Sequence, residues 1–204
     1  MTIRLHRGDL PDISRYKGAV AIDTETLGLD PHRDRLCVVQ LSPGDGSADV
    51  VQIPQGAKDA PNLKRLLADP GLLKIFHFAR FDMAVLYNAF GVMPGPVFCT
   101  KIASRLTRTY TDKHGLKDIV RELLGIELSK QQQSSDWGAE TLSEAQLAYA
   151  ASDVLYLHAL KDKFDVLLAR EDRQKLAEAC FRFLPDRARL DLEGWGTEDI
   201  FSHS

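Results

Sequence analysis

Short apolar runs come first in this chain and helical patterns follow. Three runs rich in β-branched residues predict strands over Gly18–Ile22, Arg35–Ser42 and Ala48–Pro54. The Pro43-Gly44-Asp45-Gly46 turn joins the second strand to the third. A later apolar run, Leu72–Phe78, predicts a buried strand. We expect the first three strands to form an antiparallel meander within one sheet.

Helical patterns flank the later strand and dominate the second half of the chain. Pro61 fits the first position of a helix that Gly71 ends, and the helix Ala79–Phe90 ends at Gly91, as a left-handed cap requires. Ser143-x-x-Gln146 has capping-box spacing, so a helix begins at Ser143 and runs past Leu160. Further predicted helices are Lys101–Arg108, Leu116–Leu124 and Gln174–Leu184, the last stopped by Pro185. The tail around Gly194-Trp195-Gly196 stays unassigned. The order predicts an α/β fold with a mixed central sheet, flanking helices and a helical C-terminal half.

Composition and charge narrow the class of protein. The chain has 204 residues, of which 44% are hydrophobic and 27% charged, which excludes disordered, collagen-like and coiled-coil classes. A net charge of -3 argues against a broad cationic surface that coats nucleic acid, but not against a small site where bound metal supplies positive charge. Three scattered cysteines lack zinc-site spacing, and no window reaches the roughly 18 apolar residues of a membrane span. We expect a cytoplasmic protein that does not enter a membrane.

Two acids share one face at the end of the first predicted strand. Because side chains alternate along a strand, Asp23 and Glu25 project to one side while Thr24 points to the other. Two carboxylates at one spot repel each other unless a proton or a cation lies between them. A pair of solvated acids at a strand end is the alternative, and the short motif alone does not decide.

Two further acids lie in helical patterns. Asp82 sits about one turn into the helix that follows Leu72–Phe78, among apolar neighbours, although an exposed first-turn acid would fit the helix dipole equally well. Tyr149 and Asp153 are four residues apart and therefore share a helix face. An ordinary surface pair is the alternative for these two residues.

Taken together, the four carboxylates favour a hard divalent cation. Asp23, Glu25, Asp82 and Asp153 offer the oxygen ligands that Mg²⁺ or Mn²⁺ prefers, and soft metals are disfavoured. Two such ions about 4 Å apart would neutralise the four charges and could clamp the attacking and leaving oxygens of a phosphoryl transfer.

The order of these motifs resembles that of a known superfamily. Asp23-Thr24-Glu25-Thr26, His77-x-x-x-Phe81-Asp82 and Tyr149-x-x-x-Asp153 are similar to the three exonuclease motifs of the DEDD superfamily. The sister subclass has a histidine five positions before its last aspartate, where this chain has Ala148, so the tyrosine subclass matches. His77 lies five positions before Asp82, but it belongs to the middle motif.

Within that superfamily the chain resembles ribonuclease D. The similarity lies in three segments and spans roughly residues 18–168. They are His114–Lys130 (HGLKDIVRELLGIELSK), the Ser135-Asp136-Trp137 triplet and Tyr149–Leu157 (YAASDVLYL). The resemblance implies a ribonuclease H-like fold in one exonuclease domain over 1–204, with a core over 18–168 and a helical extension over 169–204. Ribonuclease D carries additional helical nucleic-acid-binding domains, which we do not expect here.

The resemblance also implies an activity and roles for residues. It implies a two-metal 3′→5′ exonuclease that hydrolyses the phosphodiester at the 3′ end of single-stranded nucleic acid, RNA ahead of DNA, and releases nucleoside 5′-monophosphates. Asp23, Glu25 and Asp153 would hold one ion, Asp23 the other, and Asp82 would hold the second through water. Tyr149 would orient or deprotonate the attacking water. Residues implied near the substrate are Thr24, Thr26, Leu27, His77, Phe81 and Lys130.

Several alternatives stay open at this point. Leu27 is a candidate wedge against the last base, or simply a packed turn leucine. Seven cations could line the path of a single strand or lie on solvated helix faces: Arg80, Lys101, Arg105, Arg108, Lys113, Lys117 and Lys130. Rival functions are a DNA-directed exonuclease, a non-catalytic nucleic-acid-binding module and a metal phosphodiesterase for small nucleotides. The sequence leaves the natural substrate, the protein partners and the oligomeric state undetermined.

Overall fold

A mixed sheet of six strands forms the centre of the computed structural model, which describes residues 2–57, 59–129, 131–132 and 134–203. The strands are β1 (Thr2–Arg7), β2 (Ala19–Thr26), β3 (Leu36–Ser42), β4 (Ser47–Gln52), β5 (Leu73–Phe76) and β6 (Val97–Cys99). The helices are α1 (Pro61–Ala68), α2 (Ala79–Phe90), α3 (Thr100–Thr107), α4 (Leu116–Leu124), α5 (Glu144–Leu155), α6 (Leu157–Arg170) and α7 (Gln174–Leu190), and a π-type turn follows at Asp191–Trp195.

The sheet combines the predicted meander with parallel strands. Its strand order is β1-β4-β3-β2-β5-β6. Strands β2, β3 and β4 are antiparallel neighbours, whereas β5 and β6 continue in parallel from β2. The predicted mixed sheet with a helical C-terminal half is confirmed. Because β2 is central, side chains from both of its faces are covered by helices.

Strand β2 separates two apolar cores. Val20 and Ile22 pack into the core that α1, α2 and α7 cover, while Ala21 packs into the core that α3, α4 and α6 cover. Strict alternation then puts Asp23 and Glu25 on the side of Ala21 and Thr24 on the side of α2. The last part of β2 therefore presents acids to one layer of helices and a hydroxyl to the other.

Two strands were absent from the sequence prediction. In the part of the chain that the structure describes, β1 pairs with β4 alone, at the edge of the sheet. Its polar positions include Arg4 and His6, so it lacks the apolar run by which strands are recognised. Strand β6 has only three residues, which is too few for a period to be visible.

Two helix boundaries also differ from the prediction. The helix capped by Ser143 has the predicted capping box, but it breaks at Tyr156, whose φ is −104° and ψ −4°, and α6 begins there. Helix α7 continues through Pro185 rather than ending before it. Leu184 and Ala188 are buried on either side of this proline, so core packing outweighs the lost backbone hydrogen bond.

Within the described residues, no helix combines the length and the apolar character that crossing a membrane requires.

Candidate active site

Three of the four predicted acids come together at the end of β2. One oxygen each from Asp23, Glu25 and Asp153 lies within 4.8 Å of the others. Alternation along β2 supplies the first two, and α5, which packs across β2, β3 and β4, supplies the third. Three convergent carboxylate oxygens form a ligand set of the kind that Mg²⁺ or Mn²⁺ prefers.

Burial of these acids makes their ionised forms unfavourable unless a cation is bound. Burial raises the pKa of Asp23 to about 7. Burial, followed by repulsion from Asp23, Asp153 and Asp82, raises the pKa of Glu25 to about 10. The pKa of Asp153 is also raised, by burial and then by Asp23. Without a cation the cluster retains protons near neutral pH, and a divalent ion would displace them.

Asp82 approaches from the other face of β2. Asp82 is only 3% exposed, and its Oδ1 accepts a 2.7 Å hydrogen bond from Thr24 Oγ1. Burial, followed by the charge of Asp23, raises the pKa of Asp82, which lies outside the group of three. The exposed first-turn acid considered for this position is therefore wrong. Thr24, which the resemblance placed near the substrate, orients Asp82.

Gln40 is a site residue that the sequence interpretation missed. It lies opposite Asp23 in the β2–β3 register, is fully buried, and donates from Nε2 to Asp23 Oδ2 over 2.7 Å. A signal was present, because Gln40 is an amide in the otherwise apolar stretch LCVVQL, and a buried polar side chain requires a partner. Gln40 fixes the orientation of the Asp23 carboxylate from behind.

We expect Gln40→Leu to weaken divalent metal binding roughly 10- to 100-fold, the usual consequence of losing an outer-shell partner. Leucine keeps the apolar packing of β3 but leaves Asp23 Oδ2 without its donor. Calorimetric titration with Mn²⁺ measures the change. Unaltered affinity in a folded variant would contradict the orienting role.

Tyr149 stands one helical turn before Asp153 on α5. Its ring lies 6.0 Å from that of the buried Trp137, centroid to centroid. Burial, followed by the charges of Asp153, Glu25 and Asp23, raises the pKa of the Tyr149 phenol above its usual value. The hydroxyl is therefore neutral at physiological pH, and suited to hold a water or a phosphate oxygen by hydrogen bonding rather than to remove a proton unaided.

An open cavity of about 600 Å³ adjoins the acids. Besides Asp23, Glu25, Asp153 and Tyr149, its walls include Thr26, Leu27, His77, Phe81, Leu116, Ser134, Ser135 and Trp137. Leu27 is 54% exposed, and a Cβ at Gly138 would come within 2.8 Å of its Cδ2. Gly138 therefore lets Leu27 lie in its present place at the rim.

The residues predicted to contact substrate are found in different situations. Thr26, Leu27 and Phe81 line the cavity, and the hydroxyl of Thr26 donates to the carbonyl of Gly28. His77 also lines the cavity, and its Nδ1 pairs with Thr100 Oγ1 over 2.9 Å. Burial and then Lys101 lower the pKa of His77 to about 3, so this imidazole is neutral. Lys130 lies outside the described residues.

Two of the candidate cations are already engaged. Arg108 is 1% exposed and forms an ion pair with Glu122. Arg80 forms a bidentate pair with Asp191, at 2.5 and 2.7 Å. Both form ion pairs within the fold, so neither of the alternatives considered for them, a strand path or a solvated helix face, describes these two residues.

Asp191 connects the C-terminal segment to α2 and α7. It accepts from Arg80 of α2 and, at 2.6 Å, from Arg187 of α7. The neighbouring carbonyl of Leu192 pairs at 2.7 Å with Nε2 of His32, in the loop that follows β2. The segment after α7 therefore ties together the loop after β2 and the helix that carries Asp82.

Asp191→Ala is expected to lower the thermal midpoint by about 2–6 °C, because two arginines lose their shared partner. Differential scanning calorimetry checks this, with Glu193→Ala as the matched control. Among the described residues Glu193 forms a single ion pair, an exposed one with Arg189, and such pairs contribute little to stability. Equal midpoints for the two variants would show that Asp191 does not hold the segment in place.

Comparisons with known proteins agree with this geometry. The sequence model of a family described as 3′-5′ exonuclease matches residues 11–169. Ribonuclease D of Gluconacetobacter diazotrophicus is 37% identical over 160 residues, which cover 78% of this chain and 39% of that protein. The chain spans less than half the length of the curated ribonucleases D that it matches first.

Solved structures give a match over the full length. Brucella melitensis NrnC with bound Mg²⁺ is 67% identical, with a TM-score of 0.97, and the match covers 100% of both chains. The same protein bound to pGG is 68% identical, with a TM-score of 0.98 and the same coverage. The chain therefore belongs to the 3′-5′ exonuclease family, as a ribonuclease D-like member of the DEDD superfamily with a tyrosine in the third motif.

Proposed function

We propose that this protein is a metal-dependent 3′→5′ exonuclease that removes nucleoside 5′-monophosphates from single-stranded 3′ ends, RNA ahead of DNA. The observation that carries the proposal is the convergence of Asp23, Glu25 and Asp153 within 4.8 Å, on the wall of an open cavity. A module that only binds nucleic acid has no use for a buried cluster that repels phosphate when it is empty.

The donor set fits two divalent ions, Mg²⁺ or Mn²⁺. Asp23, Glu25 and Asp153 would hold one, and Asp23, with Asp82 acting through water, would hold the other. When bound, such ions lower the pKa of a coordinated water and offset the charge on the leaving oxygen. Buried carboxyl groups with raised pKa values support this assignment, because cations relieve the repulsion that protons relieve otherwise.

The remaining side chains would position the reactants. The Tyr149 hydroxyl would orient the attacking water, since its phenol stays protonated at neutral pH. Gln40 keeps the Asp23 carboxylate turned toward the cavity. Leu27, exposed at the rim beside Gly138, would lie against the last base. We also assign Thr26, His77, Phe81 and Lys130 to the substrate-binding surface.

A pair of matched substrates tests this function. An RNA and a DNA of the same sequence, each labelled at its 5′ end, are incubated with Mg²⁺, with Mn²⁺ or with EDTA. We expect a ladder that shortens from the 3′ end, only with metal, and faster on RNA. Internal cleavage, or turnover in EDTA, would overturn the proposal, and faster loss of the DNA would reverse the substrate preference.

A second candidate is a phosphodiesterase for very short oligonucleotides. It is favoured by the full-length match to the NrnC structure that holds pGG, a ligand that by its notation contains two guanine nucleotides. A cavity of about 600 Å³ lies in the range of small-ligand sites. Comparing kcat/KM for a dinucleotide and for a longer RNA separates the two candidates. An exonuclease should hydrolyse both with comparable kcat/KM, whereas a phosphodiesterase for very short oligonucleotides should strongly prefer the dinucleotide.

We further propose that the protein works in the cytoplasm. Its three cysteines, Cys37, Cys99 and Cys180, are all free thiols, which suits a reducing compartment.

A further inference from the structure

Phe78 has a backbone conformation that its side chain does not favour. With φ at 73° and ψ at 44° it lies in the left-handed region, immediately before α2. Glycine or asparagine is the usual residue there, and a bulky side chain in this region is an outlier. Despite this cost the ring is not used for core packing, because Phe78 remains 41% exposed. An aromatic ring is therefore displayed at the surface by a strained turn.

Cations accompany this ring. Lys101 Nζ lies 4.3 Å from the centroid of the Phe78 ring. Arg105 follows four residues later on α3, so the two cations share one face of this helix, and burial followed by Arg105 lowers the pKa of Lys101. Among the described residues neither has an acid within 4.0 Å. Like charges four residues apart destabilise a helix unless an anion lies between them.

The ring and Lys101 adjoin two residues that connect them to the cavity. His77, which lines the cavity, precedes Phe78, and its Nδ1 contacts Oγ1 of Thr100, the residue before Lys101. The His77–Thr100 pair therefore joins the start of α2 to the start of α3. Phe78 and Lys101 each follow one member of this pair in the chain, so the ring–cation contact is one residue away from the cavity wall that His77 forms.

We infer that Phe78, Lys101 and Arg105 form a subsite for the nucleotide on the 5′ side of the scissile phosphate. Its base would stack on the exposed part of the Phe78 ring, and its phosphate would lie near the two cations. An aromatic surface beside unpaired cations is the combination by which proteins hold single strands without reading their sequence. The Lys101 contact fixes the ring before the base arrives. This inference rests on the proposed exonuclease function.

The experiment compares two substrates in the full-length protein. One is a labelled single-stranded RNA, and the other is the p-nitrophenyl ester of uridine 5′-monophosphate, which has no nucleotide on the 5′ side. We expect Phe78→Asn to lower the ratio of kcat/KM for RNA to that for the ester roughly tenfold, the scale of one lost base stack. Asparagine tolerates the left-handed conformation, so the variant is expected to fold. Phe78→Tyr, which keeps the ring, is expected to retain most of the ratio.

The cations have a separate readout. Arg105→Gln is expected to reduce the slope of log kcat/KM against log salt by about 0.7 on RNA, as the loss of one phosphate contact does for single strands. Lys175→Gln is the matched control, because it removes an exposed cation in another part of the surface. Its neighbour Gln174 lines an apolar groove together with Leu73, at the start of β5. This variant is expected to change neither the salt slope nor the ratio of the two kcat/KM values.

Three results would overturn the subsite. They are an unchanged ratio in Phe78→Asn, an equal loss on both substrates in a folded Phe78→Asn protein, and a salt slope in Arg105→Gln that equals the slope in Lys175→Gln. Failure of the wild type to hydrolyse either substrate would reject the exonuclease function instead. In that case, fluorescence anisotropy of labelled RNA on the wild type with Ca²⁺ still tests the subsite, since Phe78→Asn should weaken binding.

Discussion

Replacing Asp153 by asparagine is expected to lower kcat/KM on single-stranded RNA by at least about a thousandfold. Losing an outer-shell partner of a metal already costs roughly 10- to 100-fold, and Asp153 belongs to the set of three that would hold the ion directly. The metal-free variant should also unfold about 3 °C higher than the wild type, because the buried Asp153 carboxyl must bind a proton or keep a charge next to other acids when the chain folds, whereas asparagine does neither.

Two measurements separate lost metal binding from lost folding. Initial rates on labelled RNA at saturating Mg²⁺ give the activity, and calorimetry in EDTA gives the midpoint. Asp162→Asn is the matched control, since Asp162 is an exposed carboxylate on α6, and it should alter neither quantity. Wild-type rates in folded Asp153→Asn would remove this residue from the reaction.

The metal-free protein is expected to lose stability as the pH rises from about 7 to about 9.5. Burial and neighbouring acids raise the pKa of Glu25 to about 10 in the folded chain, whereas in the unfolded chain it lies near 4. Between these values the folded state binds more protons than the unfolded state, so its stability falls with increasing pH. We expect a drop in the midpoint of at least about 5 °C in EDTA. Saturating Mg²⁺ should reverse the trend, because the ligands bind metal when deprotonated.

Glu25→Gln isolates the source of this dependence. Glutamine has no proton to lose in this range, so the thermal midpoint of the variant in EDTA should change much less between about pH 7 and about pH 9.5. A slope equal to that of the wild type would mean that groups elsewhere cause the loss. His77 does not contribute here, because its pKa in the folded chain is about 3 and it is neutral throughout.

Sequence patterns predicted those helices and strands that bury one face, because such burial leaves a regular spacing of apolar residues. Helix α2 was predicted with its observed bounds, because its apolar positions end at Gly91, whose left-handed conformation stops it. Strand β1 was missed because an edge strand with one neighbour requires few apolar residues. The end of α7 was predicted wrongly at Pro185. A proline destabilises a helix through local contacts that the sequence reveals, whereas the packing of Leu184 and Ala188 against distant residues depends on the fold.

The acids were predicted as a set, but the approach of Asp82 from the opposite face of β2 was not foreseen. Alternation alone put Asp23 and Glu25 together and turned Thr24 away. That Thr24 would meet Asp82 depends on where α2 packs, which no spacing encodes. Gln40 was missed for the same reason, since its role exists only once β3 lies beside β2.

Strand β2 should therefore tolerate substitutions better than a change in its length. Deleting one residue between Val20 and Ile22 would swap the two faces, sending Asp23 and Glu25 into the apolar layer under α2 and turning Thr24 toward the cavity. Such a chain would lose the acidic cluster and the packing of its hydrophobic core at the same time. Among natural relatives we therefore expect substitutions along this strand, but no insertions or deletions.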